Sequence, residues 1–93
     1  MARLFNISDS VLKALPRLPK KHLRQVLTAI VELTHDPQPH DAKPLTGDKY
    51  KGFWRKTVGE YRIIYRFDDD LIDIMVVGKR NDDEVYKQMD RKS

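Results

Sequence analysis

Ninety-three residues with a formal net charge of +4 make one domain with one modest core, and such a domain buries only about 60–65% of its unfolded surface. The chain holds no cysteine, which excludes a disulfide framework and a thiolate metal site. The N-terminal Met1-Ala2-Arg3-Leu4-Phe5-Asn6 carries no long apolar run, so neither a signal peptide nor a spanning helix is expected, and a cytoplasmic protein is.

Residues 2–7 read as a short strand ended by Ser8-Asp9-Ser10, a cluster suited to capping a helix. Val11, Leu12 and Leu15 give that helix its apolar side, and Pro16 and Pro19 bracket the turn after it. From Lys20 to about Thr34, Leu23, Val26, Leu27, Ile30 and Leu33 or Thr34 fall at three-and-four spacing, an amphipathic helix with Lys20, Lys21 and Arg24 off the stripe. Residues 35–49 are expected to be a loop, broken by Pro37, Pro39, Pro44 and Gly47. Strands are expected over 52–58, 61–67 and 71–77, and a short terminal helix over 83–91 after an Asn81…Glu84 start signal. The sum is an α+β fold in a single domain, 1–93. An N-terminal strand and a helical hairpin pack on a mostly antiparallel sheet, with a short C-terminal helix.

Charge is concentrated within this plan. Residues 43–66 hold seven cations against Asp48 and Glu60, a net +5 that exceeds the charge of the whole chain. The acids lie elsewhere, in Asp68-Asp69-Asp70 and Asp82-Asp83-Glu84. Such a patch makes a local positive field and favours an anionic partner.

Gly59-Glu60 fits a two-residue hairpin turn with glycine first. That turn pairs Val58 with Tyr61, Lys56 with Ile63 and Trp54 with Tyr65 on a face meeting the helices. The other face receives Thr57 opposite Arg62, Arg55 opposite Ile64 and Phe53 opposite Arg66. Arg55 and Arg62 become diagonal neighbours about 7–8 Å apart at the backbone, within reach of one phosphate. In the next strand Ile72, Ile74 and Val76 are expected on the core face, and Leu71, Asp73, Met75 and Val77 with the arginines. Its exit, Gly78-Lys79-Arg80, should lie beside Arg62. His22, His35 and His40 read as surface histidines, since no carboxylate or thiolate framework accompanies them.

Three segments carry a family resemblance: Lys43-Pro44-Leu45-Thr46-Gly47, then Gly59-Glu60-Tyr61-Arg62-Ile63-Ile64-Tyr65, then Val77-Gly78-Lys79-Arg80 running to Glu84-Val85-Tyr86. In this order the chain resembles the RelE-like toxins of bacterial toxin–antitoxin systems, within the RelE/ParE superfamily. The resemblance implies a metal-independent, cofactor-free endoribonuclease that cuts mRNA in the ribosomal A site, the RNA 2′-hydroxyl attacking the adjacent phosphate. It places Arg62 on the scissile phosphate and Arg80 on the leaving oxygen. Tyr86 stacks with substrate and orients the 2′-hydroxyl, and Arg55 stands where RelE has lysine. Phe53 stands where a second family lysine activates the nucleophile, which leaves Lys49, Lys51 and Lys56 as candidate bases. Lys49, Lys51, Lys56, Arg66 and Lys79 are the further RNA-binding candidates. The implied partners are a cognate antitoxin, in a toxin–antitoxin hetero-oligomer, together with ribosome and mRNA, and no membrane. Two alternatives share the fold: a ParE-like inhibitor of DNA gyrase, and a catalytically silent homologue that binds RNA or an antitoxin.

Overall fold

The computed structural model describes residues 3–79. The expected terminal helix over 83–91, with Arg80 and Tyr86, therefore lies outside the described residues. Strand β1 (Leu4–Ile7) leads into helix α1 (Asp9–Ala14), where the Ser8 hydroxyl accepts the Val11 N–H at 3.4 Å. This is the cap that the Ser-Asp-Ser cluster predicts. A 3-10 turn, Leu15–Arg17, carries Pro16, and helix α2 runs from Lys20 to His35. Strands β2 (Lys43–Pro44), β3 (Trp54–Val58), β4 (Tyr61–Phe67) and β5 (Leu71–Lys79) complete a five-stranded sheet of order β1-β5-β4-β3-β2. Only the β1–β5 pair is parallel. The fold is α+β as expected, with both helices over one face.

Val26, Ala29, Ile30 and Leu33 of α2 and Val11 and Leu15 before it pack on Tyr61, Ile63, Tyr65, Ile72, Ile74 and Val77. Ten side chains here and across the sheet are essentially fully buried; an aliphatic one contributes about 1.5–3 kcal/mol of burial. Tyr65 is the largest of them, and its hydroxyl donates to the Pro37 carbonyl at 2.6 Å. Burial pushes its phenol well above the ordinary value, with Asp36 and Asp41 adding to the shift. The expected stripe of α2 is corrected at one position: Leu27 is exposed and Ala29 takes the inward place. His22, expected at the surface, is half-buried with its ring centroid 5.1 Å from that of Tyr61.

The β3–β4 register is the one the hairpin turn dictates, Val58 opposite Tyr61 and Trp54 opposite Tyr65. Gly59 has φ +58 and no non-glycine residue has positive φ among those described, the pattern of a type II′ turn.

Strand β5 departs from the expected alternation. Ile64 pairs with Val76 but Tyr65 pairs with Ile74, so Met75 is an extra residue, a β-bulge. Beyond it the faces exchange: Val77 joins the core under the helices, while Val76 joins Ile64 on the other face. That corrects the expectation for both valines. The bulge also takes the Met75 carbonyl out of the regular ladder, and the Ser8 and Ser10 hydroxyls donate to it at 2.7 and 3.3 Å. The capping cluster therefore also stabilises the bulge.

The loop expected over 35–49 contains the two-residue strand β2, and a 3-10 turn spans Asp48–Tyr50. Proline is tolerated in β2 because it is an edge strand.

Candidate nucleic-acid interface

The sheet face away from the helices has an apolar floor. Ile64 and Val76 are buried there, covered by Leu45, Tyr50, Phe53 and Met75. Leu45 and Tyr50 arrive from the segment before β3, whose turn places the exposed Lys49 and Lys51 on either side of Tyr50. The lysines thus stand at the rim of the arginine face.

Arg55 pairs with Ile64 and Thr57 with Arg62, so the two arginines are the expected diagonal neighbours. Arg55 borders a recess of about 120 Å³ with Pro44, Leu45, Thr46 and Tyr50, and it makes no ion pair with a described residue. Arg62 is half-buried, its Nε screened from solvent, and it faces Gly78 across the β4–β5 ladder. The glycine opposite adds no side chain of its own beside Arg62. Lys79 pairs with Tyr61, two residues beyond Val77, and so lies on the helix-side face at the end of β5.

Two candidates stand apart. Arg66 lies four residues along β4, about 13 Å from Arg62 at strand rise. Its Nε contacts Asp73 Oδ2 at 3.2 Å and its guanidinium lies 5.6 Å from the Phe53 ring centroid. Asp73 also accepts from Asn6 at 3.1 Å, so Arg66 helps join β4, β5 and β1. Lys56 projects toward the helix side and its Nζ lies 2.7 Å from Asp41 Oδ2. The lysine hydrogen bond holds the Asp41 carboxyl below its usual range. The structure therefore brings together Arg55, Arg62, Lys49 and Lys51, leaves Arg66 and Lys56 in separate ion pairs, and sets Lys79, opposite Tyr61, on the other face of the sheet.

Sequence reasoning missed the floor itself. Its signal was two apolar residues, Leu45 and Tyr50, set among the breakers of a loop. Phe53, where the resemblance expects a lysine, forms part of that floor. Among the described residues no three His, Asp or Glu side chains lie close enough to hold a metal ion. Nor is any described helix long and apolar enough to cross a membrane.

A family model described as the ParE toxin of type II toxin–antitoxin system, parDE, matches residues 4–84. This chain belongs to that toxin family, within the RelE/ParE superfamily. Among solved structures it is similar to the archaeal RelE–RelB complex from Pyrococcus horikoshii, at 33% identity and TM-score 0.72 over 86% of this chain and 97% of that one. It is also similar to the RelBE2 toxin–antitoxin complex from Mycobacterium tuberculosis, at 26% identity and TM-score 0.74 over 86% and 100% of the two chains. A mutant E. coli RelE toxin in the free state shares the fold at 22% identity and TM-score 0.80, over 99% and 98%. No curated protein sequence matches the chain.

Proposed function

We propose that this toxin is a metal-independent endoribonuclease acting on mRNA in the ribosomal A site. The observation that carries the reading is the diagonal pair Arg55 and Arg62 on the face away from the described helices, with Gly78 opposite Arg62. In the reaction the RNA 2′-oxygen bonds to the adjacent phosphorus and loses its proton, and the bond to the 5′-oxygen breaks as that oxygen gains one. The products are a cyclic phosphate and a 5′-hydroxyl. Arg62 binds the scissile phosphate, and Arg55 lies within reach of the same group. Fixed guanidiniums stabilise the extra charge of the phosphorane-like transition state more than the ground state. Arg80 delivers the proton to the leaving oxygen, and Tyr86 stacks on a base and orients the 2′-hydroxyl. Lys49 and Lys51 bind flanking phosphates. Of the candidate bases, Lys49 and Lys51 border this face, whereas Lys56 is held by Asp41 behind the sheet. Ordinary lysine and arginine transfer protons poorly at neutral pH, so positioning by the ribosome supplies part of the catalysis. Dependence on the 2′-hydroxyl makes DNA inert.

RelE toxins of Pyrococcus horikoshii and Methanococcus jannaschii are seen with RelB antitoxins. We extend an antitoxin partner and a cytoplasmic setting to this chain. A second reading, inhibition of DNA gyrase, is favoured by the ParE family match and by Phe53 in the lysine position. Programmed ribosomes and a gyrase supercoiling assay separate the two. Cleavage within the A-site codon with normal supercoiling is expected; intact mRNA with blocked supercoiling would reverse the assignment.

A further inference from the structure

Strand β1 is the outer strand beside β5, and its ladder determines which way its backbone points. Leu4 N–H donates to the Asp70 carbonyl and Ser8 N–H to the Ile74 carbonyl, both at 3.0 Å. Leu4 and Asn6 sit opposite Leu71 and Asp73. The groups aimed at β5 therefore belong to residues 4, 6 and 8, and those of 3, 5 and 7 point outward. Arg3 N–H is taken by the Thr34 carbonyl at 2.8 Å. Phe5 and Ile7 keep an outward N–H and C=O with no backbone partner among the described residues.

The surface beside this edge is apolar. Phe5 and Ile7 share the helix-side face, opposite Ile72 and Ile74, and Phe5 is half exposed. On α2 the flank carrying Gln25, Thr28 and Glu32 faces β3. Leu27 and Val31 stand on the other flank, toward β1, and both are exposed. The Arg3–Thr34 bond ties the end of that helix to the start of the strand. The strand itself, Leu-Phe-Asn-Ile, has none of the charges or prolines that usually protect an edge.

We propose that two copies of this chain associate through β1, antiparallel about a twofold axis at Asn6, into one continuous sheet with the described helices of both on one side. The free groups dictate the register. Phe5 opposite Ile7 of the second copy joins every one of them, with two hydrogen bonds at each of the two equivalent pairs. Phe5 opposite Phe5 would instead need the Arg3 N–H already given to Thr34. The same register brings Arg3 opposite Asp9 of the second copy at both ends. Asp9 is exposed and in no ion pair with a described residue. A lipid surface would cover the same side chains but leave the outward N–H and C=O unpaired. Two four-residue strands and their neighbours bury less than the roughly 1,600 Å² of a standard interface, so the dimer is weak and concentration-dependent. Arg62 and Arg55 lie on β4 and β3, beyond β5 from this edge, so the proposal does not depend on the nuclease reading.

The absence of cysteine from the chain makes the register testable. Across the axis the two copies of residue 6 form a non-hydrogen-bonded pair about 4.5 Å apart at Cα, within disulfide range. The two copies of residue 4 are about 13 Å apart along the strands. Asn6→Cys in the full chain should therefore oxidise to a covalent dimer at least about tenfold faster than Leu4→Cys. In sedimentation equilibrium the wild-type mass should rise from one chain toward two over the micromolar to millimolar range. Phe5→Lys should stay at one chain over that range with an unchanged urea midpoint. The Phe5 and Ile7 amides should gain exchange protection as the protein is concentrated. A mass of one chain at every concentration, association unaffected by Phe5→Lys, or equal cross-linking at positions 4 and 6 would each overturn the proposal. Protection of those amides only when a partner protein is added would assign the edge to that partner and overturn it too. Should Asn6→Cys fail to fold, exchange of the wild-type amides decides. Dimerisation without ribosome-dependent cleavage would instead sink the nuclease reading alone.

Discussion

The two faces of the β4 strand use the same alternation for different ends. Toward the helices, Tyr61, Ile63 and Tyr65 are buried in the main core, and the Tyr65 hydroxyl there has its acceptor. Away from them, Arg62, Ile64 and Arg66 give one floor residue between two cations, and Arg66 is held in a carboxylate pair with Asp73. The first face carries stability. The second buries a smaller apolar area and carries the arginines.

That contrast predicts separable losses. Ile63→Ala should cost about 2–5 kcal/mol in stability, because it removes a fully buried side chain between α2 and Val77. Urea unfolding checks it; a cost near zero would mean that the helix-side core is not what stabilises the domain. Arg62→Ala should leave the unfolding midpoint nearly unchanged while lowering A-site cleavage at least about a hundredfold. A fold loss instead would make Arg62 structural and erase the distinction. Tyr65→Phe should cost about 1–3 kcal/mol by leaving the Pro37 carbonyl without its donor, with cleavage per folded molecule unaffected.

Smaller effects sharpen the comparison. Arg66→Ala should reduce cleavage less than about tenfold, since its guanidinium is engaged with Asp73 and Phe53. A loss equal to that of Arg62→Ala would extend the site along the whole strand. Asp68 accepts the Asp70 and Leu71 N–H groups at 2.8 Å, and these bonds hold its carboxyl below the usual range. A carboxyl depressed in the folded state adds stability that is present above its unfolded pKa and lost as pH falls through the folded one. The acid arm of the stability profile, below about pH 4, should therefore flatten in Asp68→Asn. An unchanged profile would assign that arm to other carboxyls.

The hairpin register was legible because a single glycine-led turn determines every pair from Val58–Tyr61 to Trp54–Tyr65. The bulge was not. Met75-Val76-Val77 is apolar throughout, so an inserted residue leaves no break in the pattern, and the hydroxyls that stabilise it come from Ser8 and Ser10, far back in the chain. The same limit applies at the site. Alternation placed Arg55 and Arg62 together, but the floor over them comes from Leu45 and Tyr50 in a loop without periodicity. The Lys56–Asp41 pair joins a strand to a turn 15 residues earlier, which no local pattern records. Leu27 was misread because a helix stripe of three-and-four spacing does not say where its buried edge ends.

The most direct test of the account is the chemistry of the cut ends. mRNA on programmed ribosomes should be cleaved by the wild-type toxin within the A-site codon, without added metal, to give a cyclic phosphate and a 5′-hydroxyl. An Arg62→Ala protein of matched stability should leave it intact. Ends carrying a 5′-phosphate, a requirement for a divalent ion, or equal cutting by the folded variant would contradict the claim that the arginine face catalyses attack by the 2′-hydroxyl.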